Sequence, residues 1–193
     1  MHNRILLIDN FDSFTYNLYH YVKEYTDNCK VIRYDKINIE HLSKFSGIIF
    51  SPGPGSPDDY PLLKEIINQY KSVIPIFGIC LGLQVIGSYF GCRIKNMHKV
   101  YHGKQLKTKI LDKKHAIFSD IPEMFYSGRY HSWCIEVPEE VQDIKITATD
   151  EENNIIMAIK HSIFPVEGVQ FHPESIMTSH GKKMISNWLN SLS

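Results

Sequence analysis

Cys80 is the residue of this sequence whose surroundings best suit nucleophilic chemistry. An apolar run at residues 73–79 ends directly before it, and a helical pattern that begins with Leu81 follows at once. Gly78 and Gly82 flank the cysteine at positions i−2 and i+2, where side chains would crowd a sharp strand-to-helix turn. Such a turn exposes a thiol at the carboxyl edge of a sheet, and the helix start offers the Leu81 amide to an oxyanion. We therefore predict that Cys80 is a nucleophile, whereas most free cysteines are inert, buried hydrophobes.

A general base for Cys80 is predicted at His172, which follows the apolar run at residues 166–171. Strands of one sheet can end side by side, so the two residues can meet although they are far apart in the chain. Pro173 fixes the backbone before Glu174, whose carboxylate can hold the imidazole in one tautomer. The three residues would then act as nucleophile, base and orienting group. A histidine at a strand end is by itself more often a hydrogen-bonded surface residue, so this prediction depends on the turn around Cys80.

A stiff loop rich in proline and glycine, residues 51–57, follows the third apolar run of the chain. Glycine lets backbone amides approach a ligand closely, so this loop could complete an oxyanion hole at the same sheet edge. Clusters of proline and glycine are also generic turns, and taken alone that simpler interpretation would be preferred.

The elements that position these residues are strands and helices in alternation. Continuously apolar runs predict buried strands at residues 4–8, 30–34, 47–50 and 73–79. Helices are predicted after a cap at Ser13, at residues 62–70 and at residues 81–90. Apolar strands that alternate with helices form a parallel sheet covered on both faces. The predicted class is α/β, with an open, mostly parallel sheet flanked by helices.

The second half of the chain predicts more strands and one more helix. The strands are expected at residues 106–110, 144–149, 155–159 and 166–171. Their patterns suggest antiparallel strands added to the parallel core. Ser179 is predicted to begin a final helix whose apolar side returns to that core. Since no repeat or long linker interrupts the pattern, residues 1–193 are expected to form a single domain.

Composition excludes several classes of function. The 21 basic and 21 acidic residues cancel, so the charge gives no indication of binding to nucleic acid or to an anionic membrane. No apolar run approaches the roughly 20 residues that a membrane-spanning helix needs. The four cysteines lack C-x-x-C spacing and are not grouped with histidines at ligand spacing. They predict reduced thiols, no metal site and a cytoplasmic location.

Three segments together resemble the class I (triad) glutamine amidotransferases. Gly-Ile-Cys-Leu-Gly-Leu-Gln at 78–84, Pro-Gly-Pro-Gly at 52–55 and Gly-Val-Gln-Phe-His-Pro-Glu at 168–174 follow the order and spacing of that family. The resemblance covers nearly the whole chain and implies a flavodoxin-like fold and an enzyme without a cofactor. It implies that Cys80, His172 and Glu174 form the catalytic triad. It also implies a glutamine site made by Gly53, Pro54, Gly55, Leu81, Gln84, Ser132 and Trp133.

The N-terminal segment narrows this resemblance. Residues 8–18, Ile-Asp-Asn-Phe-Asp-Ser-Phe-Thr-Tyr-Asn-Leu, resemble the signature of the glutaminase subunits of anthranilate synthase and aminodeoxychorismate synthase. Segments 99–104 and 129–132 agree with that subgroup, in which these loops lie towards the synthase partner. The resemblance implies that the substrate is L-glutamine and that the partner is a chorismate-binding synthase subunit. Either product is compatible with these motifs, and we prefer anthranilate because its synthase is the more frequent.

Two positions depart from the family pattern, and other interpretations stay open. Position 83 is leucine where many relatives have histidine, and position 133 is tryptophan where leucine is usual. Asp9 and Asn10 could simply end a strand, and residues 102–103 could simply form a turn. A cysteine hydrolase or peptidase on a related sheet would also place a cysteine at such a turn, but it would have no use for Gln84. A non-catalytic binding subunit would have no reason to keep an intact triad.

Overall fold

Four short segments in the first half of the chain form parallel strands, three of them in continuous apolar runs and one, residues 29–33, with Lys30 and Arg33 among its residues. The computed structural model describes residues 4–97 and 100–192. The four strands are β1 (Ile5–Asp9), β2 (Cys29–Arg33), β3 (Gly47–Phe50) and β4 (Ile76–Ile79). β3 and β4 are buried throughout, as expected for strands covered on both faces. β4 begins later than predicted because Pro75 has no N–H to donate to a neighbouring strand.

Seven further strands and four α-helices complete the described part of the chain. The strands are β5 (Arg93–Asn96), β6 (Lys104–Ile110), β7 (Met124–Arg129), β8 (Trp133–Glu136), β9 (Ile144–Asp150), β10 (Ile156–His161) and β11 (Val166–Val169). The helices are α1 (Thr15–Lys23), α2 (Pro61–Tyr70), α3 (Leu81–Tyr89) and α4 (Gly181–Asn190). None of the helices within the described ranges is long and apolar enough to cross a membrane.

The strand pairing of the main sheet changes from parallel to antiparallel at β11. Its nine strands follow the order β2-β1-β3-β4-β11-β10-β9-β6-β7. β11 pairs in parallel with β4 and antiparallel with β10, so it belongs to the parallel core. The expectation that this segment is only an added antiparallel strand is therefore wrong. A strand's side-chain pattern does not encode its direction, which the connection to its neighbour decides.

The helix α1 begins at Thr15 and is not capped by Ser13 as predicted. Among the described residues, no side chain caps the amides of its first turn. Asp9, at the end of β1, instead fixes the loop before the helix, because its Oδ1 accepts hydrogen bonds from the Thr15 hydroxyl at 3.0 Å and the Asp12 amide at 3.2 Å. Asp9 thus ends a strand and also fixes the loop that follows it.

The helix α4 begins at Gly181 and not at the predicted Ser179. His180 precedes it with a left-handed φ of 64°, so helical dihedral angles cannot continue back through this residue. Gly181 itself packs against Pro173, since a Cβ at this position would lie 1.9 Å from the Pro173 carbonyl oxygen.

Each face of the sheet carries its own apolar core. Alternate residues of β1 point to opposite faces, with Leu6 packing on one side and Leu7 on the other. Helices α2 and α3 cover the first face, and α1 and α4 cover the second. On the second face Trp188 stacks on Phe77 with ring centroids 5.5 Å apart. Because both faces are covered, the carboxyl ends of β1, β3, β4 and β11 are held together at one edge, where open α/β sheets place their ligands.

Candidate active site

Cys80 occupies a strained turn between β4 and α3. Its backbone has φ 53° and ψ −102°, in a region that L-residues other than glycine rarely adopt. The Cys80 N–H donates to the Val169 carbonyl at 2.8 Å, and its own carbonyl accepts from the Gln84 amide at 3.1 Å. These bonds tie the turn both to β11 and to the helix, and the thiol lies at the helix N-terminus.

Three glycines make room for this turn, as the sequence predicts for two of them. A Cβ on Gly78 would lie 2.4 Å from the Gly82 carbonyl carbon, and one on Gly82 would lie 2.6 Å from the Phe50 carbonyl oxygen. A Cβ on Gly168 of β11 would lie 2.6 Å from the Gly78 carbonyl oxygen. The predicted crowding at Gly78 and Gly82 is confirmed, and Gly168 belongs to the same contact.

His172 and Glu174 form a buried pair beside Cys80. Because β11 is the neighbour of β4, the chain leaves the sheet next to the cysteine. His172 Nδ1 lies 2.7 Å from Glu174 Oε1, which leaves Nε2 on the side of the sulfur. Nε2 is buried and has no other hydrogen-bond partner among the described residues.

The electrostatics of this pair favour a charged imidazole. Burial lowers the pKa of His172, but the charges of Glu174 and of a Cys80 thiolate raise it, so that its pKa lies well above its ordinary value. A protonated His172 beside Cys80 stabilises the thiolate, which is the nucleophilic form of the side chain. The ring is also held mechanically, since the Tyr130 ring packs on it with centroids 4.9 Å apart.

A cavity of about 400 Å³ opens above Cys80. It is lined by all seven residues that the sequence suggests for glutamine, namely Gly53, Pro54, Gly55, Leu81, Gln84, Ser132 and Trp133. Ser56, Asp59, Tyr130 and His131 complete the lining. His172 and Glu174 are not lining residues, so the sulfur lies between the cavity and the buried pair.

The proline- and glycine-rich loop reaches this cavity because Asn10 holds it. The Asn10 N–H donates to the Ser51 hydroxyl at 2.9 Å, and its Nδ2 donates to the Ser51 carbonyl at 2.8 Å. A Cβ on Gly53 would lie 2.6 Å from the Asn10 carbonyl oxygen. Gly55 has a φ of 78°, which glycine adopts without strain. Asn10 is thus a buried support for the loop and does not reach the surface.

Gln170 is a site residue that the sequence motifs did not single out. Its side chain is fully buried, and its Nε2 lies 3.5 Å from the Cys80 sulfur. Its Oε1 accepts a hydrogen bond from Gln84 Nε2 at 3.2 Å. The available signal was strand alternation, because residues two apart in an extended segment share a face and Gln170 lies two positions before His172.

A comparison with known families identifies the family to which the chain belongs. The family model described as "Glutamine amidotransferase class-I" matches residues 6–192. The chain belongs to this family. The α/β class with a mostly parallel sheet is confirmed by the crystal structure of a protein assigned to GMP synthase from Thermoplasma acidophilum. That structure superposes with a TM-score of 0.88 at 22% identity, covering 100% of this chain and 94% of the other.

Two relatives of this amidotransferase are similar over almost their full length. The chain is 41% identical to the aminodeoxychorismate/anthranilate synthase component 2 of Bacillus subtilis over 97% of this chain and 96% of the relative. It is 41% identical to the anthranilate synthase component 2 of Cyanophora paradoxa over 97% of this chain and 99% of the relative. Other relatives are longer, and the chain spans only 32% of one bifunctional protein that it matches.

The two departures from the family pattern lie in different places of the amidotransferase. Leu83 is fully buried on the side of α3 that faces Gly168, and it does not line the cavity. Trp133 does line the cavity, but its hydrogen bonds use the backbone carbonyl, which accepts from Gln84 and is paired with His131. The leucine is therefore a packing residue, whereas the tryptophan ring borders the space above Cys80.

Residues 129–132 are expected from the family resemblance to lie towards a synthase partner, and Arg129 is the first of them. Its side chain is completely buried in the amidotransferase, where Nε donates to the Ser127 hydroxyl at 3.0 Å and Nη2 donates to the Thr108 hydroxyl at 2.8 Å. Burial lowers its pKa to about 10, and the neighbouring Asp150 carboxylate opposes that shift. This burial concerns the Arg129 side chain alone, and the position of segment 129–132 beside a partner stays a prediction. Lys99, the first residue of the other segment, lies outside the described residues.

The described part of the chain shows no cluster of side chains suited to a metal ion. Within residues 4–97 and 100–192, no group of three or more histidine, cysteine, aspartate or glutamate side chains is arranged to hold a metal ion.

Proposed function

We propose that residues 1–193 form one glutamine amidotransferase domain, the glutaminase subunit of anthranilate synthase, with Cys80, His172 and Glu174 as its catalytic triad. One observation carries this proposal: the strained Cys80 turn lies between a cavity and a buried His172–Glu174 pair. That arrangement supplies a nucleophile, a proton carrier and an orienting carboxylate at one sheet edge.

The proposed reaction is acyl transfer through a thioester. The Cys80 thiolate attacks the side-chain carboxamide carbon of L-glutamine, and backbone amides near Gly55 and Leu81 stabilise the oxyanion. His172 gives its proton to the departing nitrogen, which leaves as ammonia while a γ-glutamyl thioester stays on Cys80. His172 then takes a proton from water, the resulting hydroxide attacks the thioester, and glutamate and the thiolate are released.

The cavity has a suitable size and chemistry for one amino acid. Its volume of about 400 Å³ lies at the small end of ligand sites. Both hydrogen bonds of Gln84 use Nε2, so its Oε1 is the atom that would accept a bond from the substrate ammonium group. Ser132 and Trp133 would hold the same end of glutamine, while Gly53 and Pro54 would line the path to Cys80.

A chorismate-binding synthase subunit is proposed to consume the ammonia. The printed names of both full-length relatives describe component 2 of such a synthase. Phe11 and Phe14 are 50% and 39% exposed on the loop beside the triad, and Tyr16 is 60% exposed in the first turn of α1, where all three could contact a second polypeptide. Since the name of the Bacillus subtilis relative includes both synthases, aminodeoxychorismate is the alternative product, from this chain alone or when both synthases share it.

The proposed location is the cytoplasm. All four cysteines of the chain, Cys29, Cys80, Cys92 and Cys134, are free. Free thiols in a chain of this length are expected in a reducing compartment.

The test uses Cys80→Ser in the complex with the synthase subunit that co-purifies with the chain. We expect loss of glutamine-dependent product formation and retention of the product formed from chorismate and added ammonium. Cys29→Ser, which changes a thiol outside the cavity, should keep both activities. If Cys80→Ser removed both activities equally while the complex stayed assembled, the role given to Cys80 would be wrong. Identifying the aromatic product by mass spectrometry distinguishes anthranilate from aminodeoxychorismate.

A further inference from the structure

A buried chain of hydrogen bonds connects the sulfur of Cys80 to a backbone carbonyl at the cavity. Gln170 Nε2 lies 3.5 Å from the sulfur, and Gln84 Nε2 lies 3.2 Å from Gln170 Oε1. The same Gln84 nitrogen lies 3.1 Å from the Trp133 carbonyl oxygen, which His131 Nδ1 approaches at 2.9 Å. The side chains of Gln170, Gln84 and His131 are all buried, so water does not compete for these contacts.

The Trp133 carbonyl fixes which groups donate and which accept in this chain of hydrogen bonds. A carbonyl oxygen can only accept, so both groups that approach it must be donors. Gln84 must therefore present its NH₂ group, and His131 must carry its proton on Nδ1. Burial lowers the pKa of His131 to about 4, which keeps the ring neutral in this tautomer.

The orientation of the Gln84 amide fixes the orientation of the Gln170 amide. The NH₂ group of Gln84 has a second hydrogen, and the group opposite it on Gln170 must be the carbonyl oxygen. With Oε1 of Gln170 committed to Gln84, its NH₂ group is the end that faces Cys80. The orientation of a glutamine amide is often ambiguous, but here each neighbour leaves a single choice.

We infer that Gln170 is a further catalytic residue, which donates an N–H hydrogen bond to the Cys80 thiolate. This inference rests on the proposed role of Cys80 as nucleophile. The thiolate would then have a charged partner in His172 and a neutral donor in Gln170, so its position is fixed from two directions. When water breaks the thioester, the sulfur leaves as a thiolate again, and the Gln170 donor stabilises that departing charge.

The experiment measures alkylation of Cys80 by iodoacetamide in the full chain as a function of pH, with the labelled residue identified by mass spectrometry. Gln170→Leu removes the donor at similar volume. Gln170→Glu keeps an acceptor for Gln84 but places a carboxylate oxygen against the sulfur. We expect both variants to shift the alkylation profile to higher pH by about one unit, which is about a tenfold slower reaction near neutrality. The shift should be larger for Gln170→Glu, which adds negative charge.

Asn187→Leu is the matched control, because Asn187 is another buried amide that donates to two backbone carbonyls, those of Ile117 and Ser119. It should lose stability without moving the profile. The other ionisable groups around the sulfur are unchanged in every variant, namely His172, Glu174, Asp12, Asp59, Tyr130 and His131. Profiles of folded Gln170→Leu or Gln170→Glu that coincide with that of the wild type would overturn the inference. Wild-type chain that is alkylated at Cys80 but hydrolyses no glutamine with its partner would instead contradict the proposed function.

Discussion

Gly168 offers a test of how far the reactivity of Cys80 depends on the backbone packing beneath it. Gly168 lies on β11, opposite Gly78 of β4 in the sheet register, and it has no side chain to take part in chemistry. In Gly168→Ala the new Cβ would lie 2.6 Å from the Gly78 carbonyl oxygen and 3.1 Å from the Leu83 Cβ. Since the nearest atom belongs to the backbone, no change of rotamer can relieve the contact.

The expected effect follows from the displacement that this methyl group requires. A carbon and a carbonyl oxygen pack at about 3.3 Å, so β4 and β11 must separate by about 0.7 Å. Overpacking of this kind costs about 1–3 kcal/mol, and we expect about 2 kcal/mol here. Cys80 lies two residues after Gly78. A displacement of the order of 1 Å can lower a rate about 100-fold, so we expect glutaminase activity to fall at least about tenfold.

Urea unfolding and glutamate production by the purified chain with its partner measure the two effects. With a typical urea dependence, 2 kcal/mol lowers the unfolding midpoint by about 1 M. Gly87→Ala is the control, because its Cβ would meet a side-chain atom and not the backbone, the Ile135 Cγ2 at 3.1 Å, and alanine favours the helix α3. We expect that variant to match the wild type in both measurements. Wild-type stability and activity in Gly168→Ala would refute the idea that this backbone contact positions the nucleophile.

Two further predictions concern buried ionisable side chains around the site. Arg129→Met should lower the free energy of unfolding by about 3–5 kcal/mol, because it leaves the Asp150 carboxylate buried without its cation, and an unchanged urea midpoint would contradict this. Because the pKa of His131 is lowered to about 4 in the folded chain, the unfolded chain binds more protons between pH 6.5 and 4, so this residue destabilises the fold as the pH falls through that window. At pH 5 this effect amounts to about 2 kcal/mol, so urea unfolding of His131→Asn should be less sensitive to acid than that of the wild type by about that much. Parallel stability curves for the two proteins between pH 7 and 5 would show that His131 does not titrate in this way.

The parallel core could be predicted from the sequence because β1, β3 and β4 lie in continuous apolar runs, whereas β2, which contains Lys30 and Arg33, is a partly exposed edge strand. The turn at Cys80 could also be predicted, since the flanking glycines are a local requirement of a sharp strand-to-helix connection. The proximity of His172 to Cys80 was predicted from the rule that strands of one sheet can end side by side, although the parallel direction of β11 was not predicted.

The features that could not be predicted depend on contacts between distant segments. β5 and β8 are short strands that pair only with each other, and nothing in their residue patterns marks them as partners. Ser13 looked like a helix cap, but the helix begins two residues later without a side-chain cap, and contacts of Asp9 with Asp12 and Thr15 fix the preceding loop. The burial of Arg129 was not predicted, because arginine is rarely buried, and the hydroxyls of Ser127 and Thr108 together with the Asp150 carboxylate compensate the guanidinium there. The role of Gln170 could be inferred only from the donor and acceptor directions in the hydrogen-bond chain that begins at the Trp133 carbonyl.

The contact between Gly78 and Gly168 also has a consequence for the order of events during synthesis. β4 leaves the ribosome long before β11, so a nascent chain carries Cys80 without the strand that supports its turn and without His172. With Cys80 and His172 in the roles proposed above, the reactive form of the thiol can arise only after β11 has been inserted between β4 and β10, which is a contact of long sequence separation and therefore slow to form. We therefore expect that an incomplete polypeptide without β11 hydrolyses no glutamine and releases no ammonia.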